Sequence, residues 1–218
     1  MITGIFIEEC KNRFLCLVEI EGSIEECYVS SSSKLGNYIS LKGRKVMLIE
    51  NRGKNLRTKY TLQAVWIKRK WVLLNLNIIN DLVLDTFTPS IQKTIHREYF
   101  IGDYKSDFYN QVDKEIIEAK GILSESETVC YPVVSCGRHL RQLNSFEELL
   151  MQGYKIRYIF VLMSPSIKGI VLNEKEQEVS EQFKKCVNAG MQIEFWTTRW
   201  YAGKCHLNKV PPGQISIT

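Results

Sequence analysis

The chain has 218 residues, 44% hydrophobic and 24% charged, an ordinary composition with enough apolar side chains for a sizeable core in one large or two small domains. No apolar run approaches the roughly 18 residues of a membrane-spanning helix, and the N-terminus has neither a basic stretch nor a cleavage site, so a cytoplasmic protein without membrane contact is expected. The net charge of +5 is unevenly spread: residues 42–70 hold ten basic side chains and one acid, Glu50, leaving the remainder mildly acidic and suggesting a polyanionic partner.

Residues 1–81 read as short strands: Ile5–Ile7, Phe14–Ile20, Glu25–Val29, Lys45–Ile49, Tyr60–Trp66 and Trp71–Leu76. Clusters of Gly, Ser and Asn separate them, the pattern of a small closed barrel or sandwich. A five-stranded OB-like barrel is expected, a fold that commonly grips single-stranded nucleic acid with basic and aromatic side chains. Arg52, Lys54, Arg57 and Lys59 lie in or beside one loop, with Tyr60, Trp66 and Trp71 interleaved nearby. The same residues would also serve a barrel kept soluble by basic loops and filled by its tryptophans.

Asn80–Ile95 has a helical pattern that Pro89 ends or interrupts, and a second domain over 82–218 follows. Arg97–Ile101 reads as its first strand, with Glu98 at the start. Gly137–Gln152 reads as a helix or a broken pair, Ser145 and Glu148 resembling a capping box. Tyr154–Met163 is a strongly apolar strand, Lys175–Ala189 a helix closed by Gly190, and Met191–Thr197 a further strand. Helices alternating with strands imply an α/β domain. Seven cysteines, an odd number with no C-x-x-C spacing, read as reduced thiols used as small apolar residues; Cys130 and Cys136 flank a loop.

The chemistry concentrates between Glu98 and Lys120. Lys105–Asn110 and Glu115–Lys120 are short runs joined by the polar link 111–114, a hairpin signature. A symmetric link puts Asp107 opposite Glu118, side chains about 5 Å apart, where like charges repel. Lys120 shares that face and Ala119 points to the other. A hard divalent cation would relieve the repulsion, and Mg²⁺ is typically held by one or two carboxylates with water and phosphate oxygens. Alternating charges equally describe a solvated sheet face, and a one-residue slip would turn the whole set over.

Taken together the motifs resemble the sugar fermentation stimulation protein (SfsA) family over nearly the whole chain. Asn12-Arg13-Phe14 is similar to its opening strand and Arg57-Thr58-Lys59-Tyr60 to its basic segment. Asn75 and Asn80, followed by Leu82-Val83-Leu84, are similar to the stretch before its interdomain helix. Lys105-Ser106-Asp107-Phe108 and Ile117-Glu118-Ala119-Lys120 are similar to its two charged strands, and His139-Leu140-Arg141-Gln142-Leu143 to its helix. The resemblance implies an α+β two-domain chain: an OB-like barrel, then an α/β domain of the PD-(D/E)xK nuclease type. It implies Glu98, Asp107, Glu118 and Lys120 as catalytic residues. Asp107 and Glu118 would hold Mg²⁺ or Mn²⁺, Glu98 would be an outer ligand or position a water, and Lys120 would orient or help deprotonate the attacking water. The expected partner is nucleic acid, DNA ahead of RNA, met by Arg13, Arg52, Lys54, Arg57, Lys59, Tyr60, Arg138, His139 and Arg141. For His139 a phosphate contact and a structural place at the helix end stand side by side, and for Arg138 and Arg141 a solvated helix face is the alternative. Tyr131-Pro132-Val133 replaces the family's Phe-Pro-Asp, and Ser135-Cys136-Gly137 its Thr-Arg-Gly; these departures bear on substrate-side contacts more than on metal binding. The expected function is a nucleic-acid-binding, metal-dependent phosphodiesterase, or alternatively a non-catalytic DNA-binding regulator of sugar metabolism with a silent nuclease-like domain.

Overall fold

The computed structural model describes residues 1–31, 33–53, 56–133 and 137–217; Lys54 and Cys136 lie outside them. The first strands are β1 (Ile2–Glu9), β2 (Leu15–Ile20), β3 (Ser23–Tyr28), β4 (Lys45–Glu50), β5 (Tyr60–Ile67) and β6 (Lys70–Leu73). They pair in the order β3-β2-β1-β4-β5-β6, and a parallel pairing of β3 with β5 closes β1–β5 into a barrel. Alternation drives this: Phe6, Cys16, Val18, Cys27, Val46, Leu48, Leu62 and Val65 point inward and are buried.

A single turn leads into α1 (Ile79–Leu84), followed by α2 (Pro89–Gln92) and β7 (Ile95–Arg97). The helix expected over 80–95 is therefore only partly present. It stops where Thr86 bonds back to the Val83 carbonyl at 2.6 Å, and Pro89, with no N–H to offer, starts a new short helix instead of extending the old one. The strand expected over 97–101 is also divided: Glu98 lies in the left-handed region at φ 50, between β7 and the small hairpin β8 (Phe100–Ile101) and β9 (Tyr104–Lys105).

The remaining elements are β10 (Phe108–Asn110), β11 (Glu115–Ile122), β12 (Thr128–Tyr131), α3 (Gly137–Met151), β13 (Lys155–Leu162), β14 (Gly169–Leu172), α4 (Gln177–Asn188), β15 (Gln192–Tyr201) and β16 (Lys204–Lys209). The second sheet runs β16-β15-β13-β11-β10-β7, parallel across β11, β13 and β15 and antiparallel at both edges. The β12–β14 pair and the β16 edge are additions to the sequence reading. Helix α3 is continuous through Asn144, because Ser145 donates to the Arg141 carbonyl one turn back and does not cap a new helix. α4 ends with Gly190 at φ 108 and the Met191 N–H returning to Cys186.

The faces of the second sheet have different partners. One meets α3 and α4 through Phe146, Tyr158, Phe160 and Phe183. The other shares its core with the barrel: Phe108, Ile117, Ile159, Val161 and Met163 join Leu73, Leu74, Ile79 and Val83 in one cluster. The Leu73 N–H donates to the Met163 carbonyl at 3.0 Å, and Arg44 pairs with Glu125 at 3.0 Å across the same seam. Gly121 lets α1 lie close on β11, since a Cβ there would meet Ile79 Cδ1 at 2.5 Å and Met163 Sδ at 2.9 Å.

Candidate functional site

β10 and β11 pair as Phe108↔Ile117, Tyr109↔Ile116 and Asn110↔Glu115, the symmetric register in which Asp107 faces Glu118. β10 begins only at Phe108, so the Ala119 N–H on β11 lies beyond its pairing. The Asp107 carboxylate accepts from it at 2.9 Å, supplying the acceptor that a buried amide requires. The other Asp107 oxygen accepts from Asn80 Nδ2 at 3.1 Å, which ties the site to α1.

Glu118 is 5% exposed. It accepts from the Tyr104 hydroxyl at 2.6 Å, from Lys120 Nζ at 3.1 Å and from Gln142 Nε2. Gln142 is also 3.1 Å from the Tyr104 oxygen. α3 places Gln142 here because Leu143, Phe146 and Leu149 bury one side of the helix, leaving Arg138, Gln142 and Ser145 at one-turn spacing beside it. Burial, and next the charge of Glu118, push the Asp107 carboxyl up to about 6; the Ala119 N–H, Asn80 and Lys120 pull the other way. The Tyr104 phenol is raised by burial and by Glu118.

The carboxylates open onto a cleft of about 440 Å³ lined by Glu98, Tyr104, Asp107, Glu118, Arg138 and Arg141, among others. Lys120 and His139 line a neighbouring cavity of about 370 Å³ between the barrel and α3. His139 Nε2 is 2.9 Å from the Tyr131 hydroxyl, which contacts the Tyr158 hydroxyl. Burial and the Lys120 charge lower its pKa to about 4, against the pull of Glu118. At neutral pH its ring therefore offers a hydrogen bond and no charge.

Asp107, Glu118 and Lys120 are thus brought together, with Arg138 and Arg141 at the cleft wall. Glu98 lines the same cleft, but its exposed carboxylate is paired with Lys105 at 2.8 Å, which lowers its pKa. Among the described residues no group of three or more His, Cys, Asp or Glu is arranged to hold a metal. The two carboxylates still fit a hard cation: both are oxygen donors, and Asp107 is raised first by burial and then by the Glu118 charge, both of which a bound cation would offset. Tyr104, Asn80 and Gln142 are site residues the sequence reading did not select.

The barrel's basic residues are more dispersed than the sequence suggests. Arg13 lies 4.7 Å from the Phe14 ring, and Arg57 is paired with Glu26 at 3.4 Å. Phe14 and Arg57 line a hollow of about 290 Å³. Lys59 lies 5.1 Å from the Tyr60 ring, and Arg52 is exposed. Tyr60 is only 8% exposed and packs in the barrel core, so it has little surface for the nucleic-acid contact expected of it. Trp66 and Trp71 do not adjoin this loop: Tyr60 starts β5 and Trp66 falls near its other end, about 20 Å along an extended strand.

Comparison with known proteins agrees with this architecture. Residues 74–204 match the family model "Sugar fermentation stimulation protein RE domain", and residues 9–74 match "SfsA N-terminal OB domain". The chain is 26% identical over 198 residues to the sugar fermentation stimulation protein homolog of Ruminiclostridium cellulolyticum, covering 87% of each chain. It is 25% identical over 207 residues to that of Caldanaerobacter subterraneus subsp. tengcongensis, covering 90% of each. A solved structure, described as Pyrococcus furiosus SfsA in complex with Ca²⁺, superimposes with a TM-score of 0.80 at 18% identity, covering 100% of this chain and 95% of that one; the likeness is one of fold. No helix among the described residues is long and apolar enough to cross a membrane.

Proposed function

The chain belongs to the sugar fermentation stimulation protein family, and from that premise we propose that it binds nucleic acid and cleaves phosphodiesters with a metal-dependent site at Asp107, Glu118 and Lys120. The observation that carries this reading is the pair of facing carboxylates, one of them raised to about 6 by burial and by the other, with an ammonium alongside at the edge of an open cleft. The relative from Pyrococcus furiosus was solved with Ca²⁺, a hard cation of the class this donor set suits.

Asp107 and Glu118 would hold Mg²⁺ or Mn²⁺, which when bound lowers the pKa of a water and stabilises charge on the phosphate. Tyr104 and Gln142 fix the orientation of Glu118, and Asn80 fixes that of Asp107. The Lys120 ammonium offsets the anionic phosphate and holds a water's oxygen near it. Arg138 and Arg141 receive flanking phosphates, which position the strand without reading its sequence. Glu98 reaches the site only by leaving Lys105.

The test is a panel of single- and double-stranded DNA and RNA incubated with Mg²⁺ or Mn²⁺. Cleavage by the native protein is expected to vanish in Asp107→Ala, Glu118→Ala and Lys120→Ala. Cleavage that persists in all three removes the assignment. A second reading, a nucleic-acid-binding regulator of sugar metabolism with a silent domain, draws on the donors already engaged on Glu118 and on the pairing of Lys120 with it. It calls for salt-sensitive binding, weakened by replacing Lys54, Arg57 and Lys59, with no cleavage under either metal.

A further inference from the structure

We infer that the chain carries a second nucleotide-binding site. In the groove between the β5–β6 and β15–β16 hairpin tips, Trp66, Trp71 and Trp200 take an unpaired base, and Arg69, Lys70 and Arg199 take its phosphate. The groove measures about 460 Å³, within the range of small-ligand sites. It shares no residue with the carboxylate cleft.

Three features argue for a ligand there. The first is aromatic. Trp66 and Trp71 are a cross-strand pair with ring centroids 5.0 Å apart, and Trp66 keeps 41% of its surface exposed. Trp200 lines the same groove from β15. Trp66 and Trp71 together present aromatic faces at the groove, the kind of platform on which a base stacks.

The second feature is charge. None of Arg69, Lys70 and Arg199 forms an ion pair among the described residues, and no acid lines the groove. Glu127, the acid that feels Lys68 and Lys70, is itself paired with Lys168 at 2.8 Å.

The third is backbone. The two-residue turn joining β5 to β6 is Lys68-Arg69, with φ at 47 and 62. Such turns favour Asn-Gly, because both central residues need positive φ. Two long cations hold that conformation here, and a non-glycine residue kept there points to a role for its side chain. The opposing tip, Ala202-Gly203, has the same sign of φ at both residues.

Indoles with unpaired cations and no acid suit a planar base attached to a phosphate, since every base offers a stacking face whatever its sequence. The nucleotide could belong to a single strand or be free, and the test separates these sources. The inference rests on the nucleic-acid half of the function proposed above and not on cleavage.

The experiment follows a labelled oligothymidylate of about 12 nucleotides by anisotropy, without metal, while tryptophan emission is recorded; a parallel titration uses thymidine monophosphate. Three of the four tryptophans line the groove, so occupancy should quench emission in step with binding. Trp66→Ala and Arg69→Gly should each weaken binding about tenfold. Arg69→Gly removes the charge while favouring the positive φ, so its loss of binding cannot be attributed to unfolding. Quenching by the oligonucleotide supports a strand site, and quenching by the monophosphate alone supports a free-nucleotide site. Anisotropy binding without quenching, and with native affinity in both variants, overturns the groove and leaves the nucleic-acid reading intact. No response in either titration overturns the groove and leaves the function proposed above to its own panel of strands and duplexes.

Discussion

The carboxyl of Asp107, raised to about 6, and the imidazole of His139, lowered to about 4, titrate over the same interval in opposite senses. Unfolded, they would titrate near 3.9 and 6.5. Between about pH 4 and 6 the folded chain holds more protons on Asp107 than the unfolded one, so that contribution to stability falls as pH rises. Between about 4 and 6.5 it holds fewer on His139, so that contribution rises with pH. The two offset each other in the native protein. Asp107→Asn should uncover a stability that climbs from about pH 4 to 7, and His139→Gln one that declines, each by about 2 kcal/mol allowing for partial exposure. Urea unfolding over that range measures both; native slopes in both variants would remove this account. Metal affinity should also drop about tenfold per pH unit below about 6, where Asp107 holds its proton. Asp107, Glu118 and Lys120 were legible because the symmetric link sets Asp107 opposite Glu118 with Lys120 two residues on, and because the two charged strands resemble those of the family. Tyr104 was not: it arrives on a separate two-strand tip, and nothing local marks its hydroxyl as the donor to Glu118.

At the scale of elements, β11 organises the site: Glu118 faces the cleft from it, Lys120 lines the neighbouring cavity and pairs with Glu118, the Ala119 N–H anchors Asp107, and Gly121 admits α1. Gly121→Ala would drive a methyl into Ile79, Met163 and Leu76, which should cost about 1–3 kcal/mol. It should also loosen the Asn80–Asp107 bond and lower metal affinity more than Ala119→Gly does. Calorimetric titration with Mn²⁺ compares the two, and equal affinities would break the proposed link through α1. The β10–β11 register was readable because its four-residue link is symmetric. The role of Asn80 was not, because it depends on how closely a helix from one part of the chain lies on a strand from another. The basic segment misled for a related reason: residues continuous in sequence stand at opposite ends of β5.

For the whole molecule, the barrel core and one face of the second sheet form a single apolar cluster. The barrel's strands, and α3, α4 and the main strands of the second domain, were visible in hydrophobic spacing, but this shared core was not, since no residue announces which distant face will cover it. Unfolding should therefore be one cooperative transition, with calorimetric and van't Hoff enthalpies in agreement. An excised fragment spanning residues 1–74 should fail to melt cooperatively. Two resolved transitions would contradict the shared core. The Leu73–Met163 bond and the Arg44–Glu125 bridge cross that seam, so the two halves should move as one body. If the nucleic-acid reading holds, a polymer that touches both halves should meet a fixed anvil, and the bending or unstacking the encounter demands would fall to the polymer.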